Sequence, residues 1–285
     1  MNKFVIVVFL SVILTMSFTA SGCSDKKPSS ADSVAVNEAD SDSMAHDSAE
    51  SIIAETPMPK AADELFDDFI FNFAANRKLQ RRRIAFPLKV YRNGKLEKEI
   101  SRNNWKIEHF FMHQDYYTII FDSKRQMNLV KDTTINHVII EKVFFARKLV
   151  KQYSFNRING QWKMTSINYK KLFKNKNASF LAFYESFVND TAYQNHHINN
   201  PLKFTGPDPD DDFSTMSGDL LPEQWPAFAS QAVLPKNMIY NIIYGQKYKE
   251  TNRKIFVVRG IANGLEQEFS FRKIRGKWML TKLDI

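Results

Sequence analysis

The chain has 285 residues, a formal charge of +9, 24 phenylalanines and a single cysteine. That length allows two ordinary domains, each with a buried core, and one cysteine excludes an intramolecular disulfide. The charge is uneven. Residues Ser24–Lys60 carry eight acids and three bases, 61–174 carry 23 bases and 11 acids (net +12), and 175–285 carry 13 bases and 12 acids. The basic character therefore belongs to one segment and describes a surface, not a fold.

Lys3 is followed by an apolar run from Phe4 to Leu14 and by Ala20-Ser21-Gly22 ahead of Cys23. A run of that length is short for a membrane span and suits a signal peptide over residues 1–22. The order resembles a bacterial lipoprotein signal, with Ala20 standing where leucine is usual. The resemblance implies that Cys23 is the site of lipid attachment. It also implies an address in the cell envelope, on the periplasmic or surface face of the outer membrane. Residues 24–60 contain no Phe, Trp or Tyr and are rich in Ser, Ala, Asp and Glu. Such a stretch cannot bury enough surface to offset its ordering entropy, so 23–60 is read as a disordered acidic tether. As a flexible coil it would hold the folded part about 30–40 Å from the bilayer.

The next feature is an internal repeat. Moving residues 66–90 by 114 positions gives eight identities without a gap: Phe66, Phe69, Phe73, Gln80, Ile84 and Pro87-Leu88-Lys89 fall on Phe180, Phe183, Phe187, Gln194, Ile198 and Pro201-Leu202-Lys203. A second block aligns at 112, where Lys142, Phe144 and Arg147 meet Lys254, Phe256 and Arg259. A third aligns at 116, where Ser154-Phe155, Ile158, Gly160, Trp162 and Thr165 meet Ser270-Phe271, Ile274, Gly276, Trp278 and Thr281. Three blocks in one order, with offsets drifting as loop insertions would make them, read as a tandem duplication over 61–174 and 175–285.

Each copy opens on a helix whose apolar residues fall on one face, Phe66, Phe69, Ile70 and Phe73 in the first and Phe180, Phe183, Tyr184 and Phe187 in the second. Asp63, Glu64, Asp67 and Asp68 load the first helix's opening turns, as its dipole favours. A short second helix runs to Ile84 or Ile198, and the proline three residues on ends it. Antiparallel strands are expected at Tyr116–Phe121, Val138–Arg147, Lys151–Ile158 and Trp162–Tyr169. Their counterparts are Met238–Tyr244, Lys254–Ile261, Leu265–Ile274 and Lys277–Asp284. Asn159-Gly160 and Arg275-Gly276 are the hairpin turns. Helices first and a meandering sheet after is an α+β pattern.

That succession is similar to the cone-shaped fold of nuclear transport factor 2 (NTF2). More closely, Phe66-Asp67-Asp68-Phe69 with Gln80, Arg83-Ile84 and Phe86-Pro87-Leu88 resembles a family of uncharacterised lipoproteins of Bacteroides-type bacteria that carry a domain of unknown function. The resemblance covers 61–285. It implies two tandem cone domains, each with N-terminal helices packed on a bent antiparallel sheet, and an envelope address, but no catalytic residues to carry over. In that fold an apolar pocket often lies beneath the helices. Some relatives use it for isomerase or dehydratase chemistry, while many only bind.

The candidate sites are few. Arg77, Lys78, Arg81, Arg82 and Arg83 form the densest basic cluster, and most of it is lost in the second copy. It is either a solvated helix face or a patch for an anionic partner. In an envelope that partner is an acidic glycan or a lipid head group; nucleic acid is set aside on compartment grounds. Asp115 and Tyr116 open a strand expected to face a pocket. His109 and His113 would share a helical face if Trp105–His113 were helical, but no third metal ligand accompanies them. His196-His197 are adjacent and diverge in a helix. Asp208, Asp210, Asp212 and Asp219 imitate a calcium loop, but Phe213 stands where that loop needs glycine, and Pro207 and Pro209 indicate a surface insertion. No nucleophile–base pair, phosphate loop, metal site or cofactor motif is present. The expectation is a binding lipoprotein acting through cone pockets or a basic surface; a pocket enzyme and a protein-interaction scaffold are the alternatives.

Overall fold

The structure is a computed structural model that describes residues 63–208 and 210–285. The expected signal peptide, Cys23 and the tether lie outside the described residues. The first half contains α1 (Phe66–Ala75), α2 (Arg77–Arg83), β1 (Ile84–Arg92), β2 (Lys95–Ile100), β3 (Tyr116–Phe121), β4 (His137–Phe144), β5 (Leu149–Ile158) and β6 (Gln161–Lys171). The second contains α3 (Ala178–Asn189), α4 (Thr191–Asn195), β7 (Ile198–Asp208), β8 (Asp211–Leu220), α5 (Trp225–Ala229), β9 (Met238–Ile243), β10 (Arg253–Gly260), β11 (Glu266–Ile274) and β12 (Lys277–Asp284).

The spacing of phenylalanines does what it predicts. Phe66, Phe69, Ile70 and Phe73 are buried on α1, and Phe180, Phe183, Tyr184 and Phe187 on α3. Both helices meet the sheet through the same aromatic geometry. Phe66 packs edge-on against Trp162 (5.1 Å, 80°) and Phe155 (5.2 Å), as Phe180 does against Trp278 (5.5 Å, 72°) and Phe271 (5.3 Å). Such edge-to-face contacts favour ring pairs beyond their buried area. A second tie recurs: buried Gln80 accepts from Trp105 Nε1 (3.1 Å), and buried Gln194 accepts from Trp225 Nε1 (2.8 Å). Asn159-Gly160 and Arg275-Gly276 both take positive φ, as their hairpins require. Asn93-Gly94 does likewise between β1 and β2.

The strands form one twelve-stranded sheet in the order β2-β1-β6-β5-β4-β9-β3-β10-β11-β12-β7-β8. With β1–β6 matched to β7–β12, this order reads the same from either end. Its centre is unexpected. Beside β4 lies β9 from the second half, paired antiparallel from Ile139↔Ile243 to Phe144↔Met238. Beside β10 lies β3 from the first half, paired from Ile255↔Phe121 to Gly260↔Tyr116. Each half thus lends its third strand to the other. At the seam β3 and β9 run parallel and share a single backbone register pair, Thr118↔Asn241.

Four further differences from the sequence reading have local causes. First, the sheet is mixed, because β1–β6 and β7–β12 are parallel; period-two alternation carries no strand direction. The β1–β6 pairing lapses between Ile84 and Lys89, where Pro87 has no N–H to offer. Second, Asp208 and Asp211 close the β7–β8 hairpin, so the acidic stretch is a strand turn and not a free insertion. Third, β2 and β8 escaped notice because they are outer strands made largely of exposed polar residues, without an apolar face to betray them. Fourth, Trp105–His113 is not helical; a 3-10 turn covers only Met112–Gln114.

Phe66→Ala and Phe180→Ala should each cost about 3–5 kcal/mol, since each empties the same junction of helix, tryptophan and strand. Equal losses in urea unfolding are expected; a large loss at one site alone would mean that the two junctions are not equivalent.

Candidate functional site

The interior under α1 is filled by Phe66, Phe69, Phe73, Phe110, Phe111 and Phe155, all buried. Open space lies at its margin instead. A cleft of about 470 Å³ is walled by Val90, Ile100 and Ile167, with Tyr169, Lys151 and Glu108 among its polar lining. Glu108 leaves the Trp105 segment, which is pinned because Gln80 Nε2 donates to the Glu108 carbonyl (2.7 Å) and Gln80 Oε1 accepts from the Glu108 N–H (3.2 Å). Its carboxylate then accepts from Lys151 Nζ (3.0 Å) and the Tyr153 hydroxyl, with Lys142 Nζ at 3.6 Å. Lys151 sits over the Tyr153 ring (4.6 Å) and Lys142 over the Tyr240 ring (4.9 Å).

Burial opposes charge on Glu108, but the Lys151 ammonium, the Tyr153 hydroxyl and Lys142 outweigh it, and the carboxyl is held below its ordinary range. Burial and the Glu108 charge push the Tyr153 hydroxyl well above ordinary tyrosine. At neutral pH the cluster therefore holds an ionised carboxylate and a protonated phenol. Glu108 is a poor proton donor and a weak base there, so the arrangement suits recognition better than proton transfer. The second half lacks it: at the spacing of 116, Lys151 and Tyr153 become Gln267 and Phe269. Gln267 merely ties down backbone, donating to Gln231 O and accepting from Val233 N.

Two more polar groups were invisible to pattern reading. Asp67, assigned to the helix dipole, accepts from Tyr244 and from Tyr117 (3.1 Å), and burial raises its carboxyl. Glu141 is 2 % exposed and accepts from Gln152 (2.8 Å), Asn175 (2.8 Å) and Asn241 (3.0 Å). Both lie on the side of helix or strand that patterning marks only as polar. Their roles depend on partners more than 10 positions away, as in Glu141's pairing with Asn241.

The sequence-derived candidates are dispersed. Arg83 is buried and forms a two-pronged pair with Asp63 (2.8 and 2.7 Å), so it is structural and leaves the basic patch. Its place as the last residue of an amphipathic turn explains this. Arg77, Lys78 and Arg82 are exposed and Arg81 is half-buried. Asp115 has φ 56°, and its carbonyl accepts from Ile261 N (2.9 Å) and Asn263 Nδ2 (3.2 Å). Tyr116 packs at the edge of the second core. Neither lines the cleft beside Glu108. His109 and His113 lie with ring centroids 4.8 Å apart. No group of three or more metal-ligating side chains occurs among the described residues.

Residues 45–285 match the domain of unknown function DUF4348. The chain belongs to that family. A crystal structure of an NTF2-like protein from Bacteroides fragilis NCTC 9343 is 39% identical and superposes with a TM-score of 0.73, covering 80% of this chain and 98% of that one. The α+β organisation expected from the sequence thus has an NTF2-like structural neighbour. No functionally curated protein matches.

Because the Glu108 pKa is depressed in the folded state, its stabilisation is present above the ordinary carboxylate pKa and is lost as pH falls through the folded value. Glu108→Gln should lower stability at pH 7 by about 1–3 kcal/mol and flatten the acid limb of the stability profile. An unchanged acid limb, measured by urea unfolding across pH, would show that the Lys151–Glu108–Tyr153 contacts contribute nothing.

Proposed function

We propose that this DUF4348 protein is a non-catalytic ligand-binding lipoprotein of the cell envelope, built from two cone-type repeats and anchored through Cys23. The observation that carries the binding role is the Glu108–Lys151–Lys142–Tyr153 cluster opening on a cleft in one half only. A charged, partly buried network is not needed to hold the fold, because the second half keeps the same aromatic core with Gln267 and Phe269 in its place. The cleft offers an aromatic ring, Tyr169, and lysines at positions 98, 106 and 151 beside Glu99 and Glu108. That mixture suits a small acidic glycan fragment, with the ring as a platform and ammonium groups for the acid. The exposed part of the basic cluster, Arg77, Lys78 and Arg82 with Arg81, would add long-range attraction that salt screens over about 8–10 Å.

Titration of the purified protein with uronic-acid disaccharides and with their neutral analogues tests the binding role. Preference for the acidic ligands, weakened by Lys151→Met, is expected; equal or absent binding of both by wild type would refute it. Anchoring is tested separately by fractionation. Cys23→Ser should move the protein from the detergent phase to the aqueous phase, since stable anchoring needs two or more acyl chains.

A further inference from the structure

We infer that the end of the sheet where the β1–β2 and β4–β5 turns flank the last residues of β6 docks onto an anionic lipid surface. The inference rests on the envelope reading only for the presence of a membrane. Apart from Tyr169, its residues lie outside the cleft beside Glu108. Strand direction assembles this end. Arg92 closes β1 opposite Tyr169, Leu149 opens β5 opposite Lys171, and Phe144 closes β4 opposite Leu149. Two backbone bonds hold the turns in place: Asn93 N donates to Tyr169 O (2.8 Å), and Leu172 N donates to Lys148 O (2.8 Å). Neighbouring strands lie about 4.8 Å apart, so β2, β1, β6 and β5 present a rim about 15 Å across.

The rim is basic. A cleft of about 360 Å³ there is lined by Arg92, Arg147, Lys148, Lys170 and Lys171, and by no carboxylate. Glu97 pairs with Arg92 and Glu185 with Lys148, while Lys170 lies within the field of Glu141. Arg147, Lys171 and the neighbouring Lys174 are exposed and form no ion pair with described residues. The fold does not require this charge. At the spacing of 116, Arg147 and Lys148 become Asn263 and Gly264, and at 114 Arg92 becomes Gly206. Lys148 takes φ 49° where Gly264 takes 73°, so the second half makes the same turn without a base.

Phe173 favours a lipid surface over a soluble anion. In the 3-10 turn Leu172–Lys174, Leu172 is buried, and Phe173 is turned outward and is 68 % exposed. Lys171 Nζ lies 5.8 Å from its ring centre. Leu96, 55 % exposed, belongs to the same end of the sheet, opposite Tyr91. Phe213 is more exposed still, but it follows Asp210, Asp211 and Asp212, which an anionic surface would repel. A lone exposed ring needs no explanation. One set among unpaired bases has the make-up of an interfacial anchor. The ring enters the acyl boundary, and the lysine stems lie along apolar surface with their ammonium groups at the lipid phosphates.

Cosedimentation of the full chain carrying Cys23→Ser tests this without an acyl anchor. Vesicles of phosphatidylcholine alone and of phosphatidylcholine with phosphatidylglycerol are compared from low to physiological ionic strength. Any attraction of the apolar run Phe4–Leu14 acts on both alike. Stronger binding to the phosphatidylglycerol vesicles, weakened by salt, is expected. Arg147→Gln with Lys171→Gln and Lys174→Gln should weaken that binding about tenfold or more, since each base beside an anionic surface contributes on the order of fivefold. Phe173→Ser should weaken it at every ionic strength, with circular dichroism unchanged in both variants. Equal binding to the two vesicle types, or undiminished binding by the triple variant, would overturn the inference. So would a greater loss from Arg81→Gln with Arg82→Gln, which would move the surface to α2. Binding that soluble polygalacturonate abolishes and Phe173→Ser leaves intact would assign the rim to acidic glycans and overturn it too. None of these outcomes touches uronic-acid binding at the cleft or anchoring through Cys23.

Discussion

Asn241 stands where the backbone ladder of the sheet fails, and its side chain replaces the missing bonds. Between β3 and β9 only Thr118 and Asn241 are in register. Asn241 Oδ1 accepts from Ile120 N (2.9 Å) across the seam, while its Nδ2 donates to Glu141 on β4 (3.0 Å). Thr118 Oγ1 returns a bond to Tyr240 O (2.9 Å), and Gln246 reaches Ile242 O (3.0 Å). Glu141 is in turn held by Gln152 and Asn175, the latter in the connection between the halves. Each buried polar group is satisfied by another, the condition under which such a network specifies one arrangement. Without it, β3 and β9 would meet along a run of unpaired amides and carbonyls.

Strand exchange makes the two halves interdependent. β4 finds its outer neighbour in β9, and β10 finds its own in β3, so neither half completes its sheet from its own strands. Asp67 adds a third link, since α1 of the first half is tied to Tyr117 on β3 and to Tyr244 just beyond β9. A shared frame also frees one half to diverge. The aromatic junctions are kept in both, whereas Lys151, Tyr153 and Asp63 of the first half are Gln267, Phe269 and Asn177 in the second. The change at Lys151 falls at the cleft beside Glu108.

Much of the frame was legible because it is local. Phenylalanines three and four apart mark a helix face whatever surrounds them, and Asn-Gly marks a tight hairpin through its tolerance of positive φ. Many identities at spacings of 114 and 116 fall on buried residues such as Phe69, Trp162 and Leu88 and on their counterparts. The block at 112 is out of register, because the pairs Ile139↔Ile243 and Ile255↔Phe121 match β4 to β10 at a spacing of 116. What stayed hidden is non-local. Alternation in Tyr116–Phe121 says that a strand forms but not that its neighbour is β10, more than 130 positions away. Arg83 looked like one more surface base because its partner Asp63 lies 20 residues back, behind a helix. Glu108 stood out by no pattern, since Lys151 and Tyr153 reach it from β5, more than 40 positions along the chain.

The four tryptophans fall two to each half, at 105 and 162 in the first and at 225 and 278 in the second. Replacing either pair by phenylalanine leaves reporters on one side of the seam only. The decisive measurement is urea unfolding of the two double variants, followed by tryptophan fluorescence and by far-ultraviolet circular dichroism. A single unit joined by exchanged strands predicts that fluorescence and circular dichroism give coincident transitions in each variant, with one slope that scales with the surface of the whole described chain. Separate transitions, each with about half that slope, would show that the halves unfold independently and would contradict the shared sheet.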